Sequence, residues 1–382
     1  MSATELLAAE RVAICLGTGG VGKTTLAAAL GLSAALHGRP ATVLTIDPAR
    51  QLARALGLSH LPPTPTLVPA GHFTPAGLAL KAPLHAAMLA AEPAWDAFVR
   101  RHAPYPEAAE TLLANPFYRR LTRSFAGALE YATMDALVSL CASAPPDELI
   151  VVDTPPSSHA VAFLQAPRRI DALFAQPIAR WARRLLGPAS GEADPRRRGP
   201  RLAQRLREAT GARALADVAH FFESLEPLVG AVRRRSAELE ALFGHPRTAF
   251  LLVTSAVEAQ PEERGQLVAA LEQAGGRLQA LIVNRAHPLP HAGPTPEARA
   301  RVEDLLGSLA ASCDAPDGLT WLRSTYEDAW QRAKAEARSW QEASEALPPG
   351  LARIVVPELD RDVHAPHELA LLVSCLSGPS NA

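Results

Sequence analysis

Six short runs of apolar and β-branched residues recur along the chain: Val12 to Leu16, Ala41 to Ile46, Leu149 to Val152, Ala249 to Val253, Leu278 to Val283 and Arg353 to Val356. Each is a continuous run rather than an alternation of apolar and polar positions, which is the pattern of strands covered on both faces. Helix-length segments rich in alanine and leucine separate most of them. Strands alternating with helices predict an α/β fold with a mostly parallel sheet and helices on both sides. Two long stretches, 82–147 and 168–245, break the alternation and read as helical with no strand signal. They are assigned to a helical subdomain inserted into a core made of 8–81, 148–167 and 246–376. Within the second stretch, Gly187 to Arg201 is rich in Pro, Gly, Ser and charge, which predicts a mobile loop.

The polar residues that close these strands carry the candidate chemistry. Residues 17–24 read Gly-Thr-Gly-Gly-Val-Gly-Lys-Thr, a phosphate-binding loop of the form GxxxxGK[ST], between the first apolar run and a helical stretch. Gly17, Thr18, Gly19, Gly20, Val21 and Gly22 let successive N–H groups turn toward phosphate oxygens, and the helix start at Lys23, Thr24 and Thr25 adds its positive dipole end. Lys23 is placed to reach the terminal phosphates and Thr24 to ligate Mg²⁺. A nucleoside triphosphate is the ligand this implies, and the fold it implies is that of a P-loop NTPase. Three further strands end in Asp47, Asp153 and Asn284, and ligands of open α/β sheets gather at the carboxyl ends of strands. A carboxylate near a γ-phosphate positions water or partners the metal, so Asp47 is a candidate for either, although it also fits a helix cap before Pro48. Asp153 is a second candidate metal partner, against the plainer reading of a strand-end aspartate.

Composition narrows the field. With 382 residues, 48% of them hydrophobic, the chain can bury a large core as one enlarged domain or as two. A net charge of −1 gives no general electrostatic case for nucleic acid. From Arg168 to Arg213, twelve arginines face four acidic residues, a local balance of +8 that leaves −9 on the rest of the chain. That segment reads as a solvated face or flexible arm, or as a dock for something acidic. Arginine is otherwise the default cation: Lys23, Lys81 and Lys334 are the only lysines among 38 basic residues. The four cysteines form no CxxC or Cys/His cluster, so neither zinc nor a disulfide framework is expected, and a cytoplasmic setting is the simplest. No signal peptide or membrane span is read, which leaves peripheral contact as the form of membrane association to consider. Ile170 to Leu186 has apolar residues at helical spacing with Arg180, Arg183 and Arg184 between them, a pattern that fits a core-facing helix or a contact with an acidic partner or membrane surface.

Three segments together, GTGGVGKTT at 17–25, TIDPAR at 45–50 and VVDTPPSSHAVAFLQAP at 151–167, resemble the ArsA-type ATPases. This deviant-Walker group includes arsenite-pump ATPases and the eukaryotic ATPases that target tail-anchored membrane proteins. TIDPARQLARALGL and ANPFYRRLTRSFAGALEYATMDAL resemble, more narrowly, its bacterial branch of anion-transporting-ATPase-like proteins. The resemblance implies a Mg²⁺-dependent ATPase acting as a dimer. Asp47 would be the first-switch aspartate that orients or deprotonates water, and Asp153 the second-switch aspartate that holds magnesium through water. His159 would be a switch residue, since no second histidine or cysteine stands at ligand spacing. Asn284 would lie against the purine, with a weaker contact from Pro357 to Leu359; a turn asparagine before Pro288 is the plainer alternative. An amide can match adenine, and the Asn-Lys-x-Asp pattern of a guanine reader is absent, which favours ATP.

The resemblance breaks at Thr18, where members of that family usually carry a lysine that reaches the partner's nucleotide. Either a related lysine-bearing subunit completes a heterodimer, or a homodimer uses a nearby arginine instead. The CxxC zinc clasp, a methionine-rich groove and cysteines near the switches are all missing, so no cargo follows. The expectation is an ATPase that couples switch motions to a partner protein, a membrane-associated cargo or a transport component. A catalytically weak ATP-sensing subunit is the alternative, and a small-molecule kinase a more distant third.

Overall fold

The computed structural model of the chain describes residues 2–46, 51–89, 91–115, 128–175, 228, 230–255, 261–287, 296–312, 316–345, 347–359, 363 and 365–377. Its centre is one eight-stranded sheet in the order β3-β4-β2-β5-β1-β6-β7-β8. The strands are β1 Val12–Gly17, β2 Ala41–Thr45, β3 Thr66–Leu67, β4 Leu84–Met88, β5 Leu149–Asp153, β6 Thr248–Ser255, β7 Leu278–Ala286 and β8 Ala352–Pro357. Every neighbouring pair is parallel except β3 with β4 at one edge. The six apolar runs are the six strands from β2 through β8, with the phosphate-loop strand β1 near the middle. β1 is buried along its whole length, as its unbroken apolar sequence requires.

Side chains of β1 alternate between two apolar layers. Ala13 and Cys15 join Val43, Val151, Leu251 and Ile282 under α2 (Lys23–Leu36), α3 (Gln51–Ala55) and the C-terminal helix Pro366–Leu376. α2 approaches β2 at a glycine: at Gly31 a side chain would collide with Val43, so the helix lies close on the strand. Val12, Ile14 and Leu16 join Val152, Phe250 and Leu252 on the other face. That layer is completed by α4 (Ala91–His102), α5 (Pro106–Ala114), α6 (Ala128–Ser143), α7 (Ser157–Ala175), the helical segment 230–243 and the helix Pro261–Gln273. A buried carboxylate ties three of these helices together. Asp135 of α6 accepts from Arg101 of α4 at 2.9 Å and from Arg235 of segment 230–243 at 2.5 Å.

The stretch 82–147, expected to be free of strands, contains β4, paired with β2 from Ala41↔Leu84 to Thr45↔Met88. The sequence LHAAM has helix-forming composition, and what makes it a strand is the open edge of β2, whose backbone groups need partners. β3, with only two residues, carries no pattern to read. α7 continues through Pro167, across the expected boundary between core and insertion at 167/168. Beyond residue 175 the basic segment, the predicted loop Gly187 to Arg201 and most of the amphipathic stretch lie outside the described residues. Among the described residues no helix is long and apolar enough to cross a membrane.

Candidate active site

β1 delivers the chain into the loop 17–22 and α2 begins at Lys23, with Gly22 as its N-cap at φ 89° and ψ 21°. That left-handed conformation is ordinary only for glycine. A side chain at Gly22 would also collide with Nδ2 of Asn284. Lys23 is buried, and its Nζ donates to the carbonyls of Gly17 at 3.0 Å and Thr18 at 2.7 Å, which holds the ammonium at the mouth of the loop.

Strand register sets the next residues. β5 lies between β2 and β1, so Asp153 sits level with Thr45 on one side and Cys15 on the other. One oxygen of Asp153, Oδ2, accepts from Thr24 Oγ1 at 2.7 Å and from Thr45 Oγ1 at 2.9 Å. The carboxylate is fully buried, and these charge-assisted bonds align the Thr24 hydroxyl from behind. Thr154 Oγ1 donates to the carbonyl of Cys15 at 2.6 Å, which ties the segment after β5 to the end of β1. Burial, with the Asp153 charge adding to it, pushes the Cys15 thiol well above its usual range, so this cysteine is an inert apolar residue under the loop.

On the far side, Asn284 Nδ2 donates to the carbonyl of Val21 at 2.7 Å, so the end of β7 braces the phosphate loop. β7 then gains a residue on its neighbour: Val283 pairs with Val355 and Ala286 with Pro357, three steps against two. The extra residue makes a bulge, and Arg285 within it has φ 55°, the one positive φ outside glycine among the described residues. For a side chain of this size the conformation costs roughly 1–2 kcal/mol. The bulge is held on its C-terminal side, by Glu358 N to the Ala286 carbonyl at 2.7 Å and by His287 N to Glu336 Oε2 at 3.0 Å.

Between these walls lies a cleft of about 540 Å³, lined by Gly20, Gly22, Lys23, Thr24 and Thr25 at the loop, by Gln51 and Arg54 of α3, and by Asn284, Arg285 and Pro357 at the strand ends. Its size falls in the range of roughly 300–1,000 Å³ usual for small-molecule sites. Most of the expected site therefore converges: the loop, Asn284 and Pro357 line one cleft, and Asp153 stands behind Thr24. Gly17, Thr18, Gly19 and Val21 shape the loop without lining the cleft. His159, in the first turn of α7, is exposed and lies off the cleft. Asp47 lies outside the described residues, immediately beyond Ile46, whose N–H bonds to the Asp153 carbonyl at 3.1 Å.

Several contributors are not singled out by the sequence pattern, among them Thr45, Gln51, Arg54, Thr154 and Arg285. Thr45 could have been found as the hydroxyl that closes β2 and opens TIDPAR, and Gln51 and Arg54 as an i, i+3 pair on the helix that follows. Arg285 directly follows Asn284, but nothing in its neighbours announces a bulge. Among the described residues no three His, Cys, Asp or Glu positions cluster tightly enough to hold a metal on their own.

A central strand, a glycine-rich loop, a helix opening at Lys23-Thr24 and an aspartate closing the adjacent strand define a nucleotide-binding α/β protein of the P-loop NTPase class. The sequence matches the family described as anion-transporting ATPase over residues 10–304, and the chain belongs to that family. Membership implies ATPase activity. No curated protein matches the chain.

Proposed function

We propose that the chain is a Mg²⁺-dependent ATPase that hydrolyses ATP to ADP and phosphate. The observation that carries this reading is the shared hydrogen-bond set of Thr24, Thr45 and Asp153 at the foot of the loop. The residues fit the metal, because Thr24 presents an oxygen at the phosphate end and Asp153 stands behind it as an acceptor for a metal-bound water. Magnesium held there would neutralise charge on the β- and γ-phosphates. The chain supplies the rest. The loop N–H groups and Lys23 bind the phosphates, and Lys23 leaves its two carbonyl partners to do so. Asp47, two residues past β2, is the candidate for aligning the attacking water. Asn284 keeps its Oδ1 to accept from the adenine amino group while Nδ2 stays on Val21, and Pro357 offers an apolar surface to the base. Because Thr45 and Ile46 both bond to Asp153, the two switch strands are joined where nucleotide loss would be felt, which is the physical basis for passing the nucleotide state to a partner protein, cargo or transport component in a dimer.

Thr18 favours a second reading. The family's usual lysine is absent there, so the chain would be an ATP-sensing subunit that turns over slowly alone and depends on a lysine-bearing relative. Steady-state hydrolysis by the purified chain, with Lys23→Ala as the control for contaminating ATPase, separates the two. Turnover well above the control supports the self-sufficient enzyme; ATP binding without turnover supports the sensing subunit; no ATP binding overturns both.

A further inference from the structure

We infer that Arg285 is a base-recognition residue, its planar guanidinium stacking on the face of the purine bound in the cleft; the inference rests on the nucleotide reading above. Two independent observations lead to it. The first is the backbone: the bulge between Val283 and Ala286 puts an arginine in a left-handed conformation that a glycine would adopt without strain. Bulges beside active sites re-aim side chains, and backbone strain collects where a side chain must be held for function. The second is position. Arg285 lines the cleft next to Asn284 and across the β7–β8 pairing from Pro357 and Glu358. The loop and Lys23 take the phosphate end, so the strand ends of β7 and β8 form the end where a base lies. Asn284 is fixed against Val21 and offers an edge contact, whereas the neighbouring guanidinium offers a plane. Arginine combines that plane with a weakly hydrated charge, which suits stacking on an aromatic ring; lysine does not share the plane. The two residues after Arg285 are hydrogen-bonded, Ala286 to Glu358 and His287 to Glu336, and Asn284 before it is fixed on Val21, so the backbone that carries Arg285 is held in place before the ligand arrives.

The test is the dissociation constant of ATP, by titration calorimetry without turnover, for the wild-type chain and for Arg285→Ala, Arg285→Gly, Arg285→Lys and Arg285→Tyr. Arg285→Ala and Arg285→Gly are expected to weaken ATP by about tenfold. Arg285→Gly also removes the backbone strain, so its thermal midpoint should equal or exceed that of wild type, which separates lost binding from lost folding. Arg285→Tyr should recover most of the affinity through stacking, and Arg285→Lys should recover little. Wild-type affinity in Arg285→Ala would overturn the inference. Rescue by Lys rather than Tyr would also overturn it, because it would mark a charge contact to phosphate. Lys23→Ala keeps the two levels apart: if it loses ATP while Arg285→Ala does not, the base contact alone fails and the ATPase reading stands.

Discussion

At the scale of single residues, the site depends on contacts too close to tolerate one extra carbon. Gly22 serves two requirements together, a left-handed φ of 89° and the approach of Asn284 to the Val21 carbonyl. Gly22→Ala meets both penalties, and we expect it to lower unfolding stability by roughly 1–3 kcal/mol. The two parts can be separated. Asn284→Ala removes the group with which the new methyl collides, so the double variant Gly22→Ala/Asn284→Ala should lose less than the sum of the single losses in denaturant unfolding. Strict additivity would mean that Asn284 does not pack against Gly22. The loop itself was legible because its glycines and lysine stand in contiguous order. The brace from Asn284 was not, since it joins positions 21 and 284 through a fold that local pattern cannot supply.

At the scale of elements, legibility followed burial. β1, β2 and β5 to β7 announce themselves as apolar runs because both faces are largely covered, and the edge strand β8 does so through its β-branched Ile354, Val355 and Val356; β4 hides because its five residues, LHAAM, are as suited to a helix, and the sheet rather than its own sequence decides its state. The helices on the opposite face from α2 carry a buried polar centre that periodicity did not reveal. Beside Asp135, His102 of α4 packs on Phe98 with ring centroids 4.6 Å apart, and its Nε2 is buried without a hydrogen-bond partner among the described residues. Burial lowers its pKa below the ordinary 6.5; the Asp135 charge opposes the shift, and Arg235, Arg101 and Arg234 reinforce it. The unfolded chain therefore binds a proton at His102 at a higher pH than the folded chain does. Its contribution to stability is complete above about pH 6.5 and is lost as pH falls through the window down to the lowered folded value. Replacing the ring with a neutral amide removes this dependence. Between neutral pH and about pH 5, the denaturation midpoint of wild type should fall more than that of His102→Gln. Parallel pH profiles would show that the ring titrates as freely in the folded protein as in the unfolded one.

At the scale of the whole molecule, the open question is how many copies make one working site. Thr18 gives its carbonyl to Lys23 and is partly exposed on the loop without lining the cleft, so a charge placed there is tested best for an effect on a second copy. A neutral hydroxyl cannot stabilise the charge that develops on a transferring phosphoryl group, and a cation supplied in trans can be worth about 10³ to 10⁵ in rate. If that cation limits the homodimer, Thr18→Lys should raise turnover, and the rise should depend on protein concentration because the charge acts on a second copy. A mixing experiment decides whether the effect crosses the interface. The double variant Thr18→Lys/Lys23→Ala has no functional site of its own but carries the donor lysine, whereas wild type has the site and lacks the donor. If the lysine acts in trans, adding the inactive variant to wild type should raise turnover above that of wild type alone. If it acts within its own chain, the mixture should only dilute the activity, and Thr18→Lys alone should show the gain at every concentration. No gain in either format would mean that charge at position 18 does not limit this chain, and the argument for a lysine-bearing partner subunit would lose its physical basis.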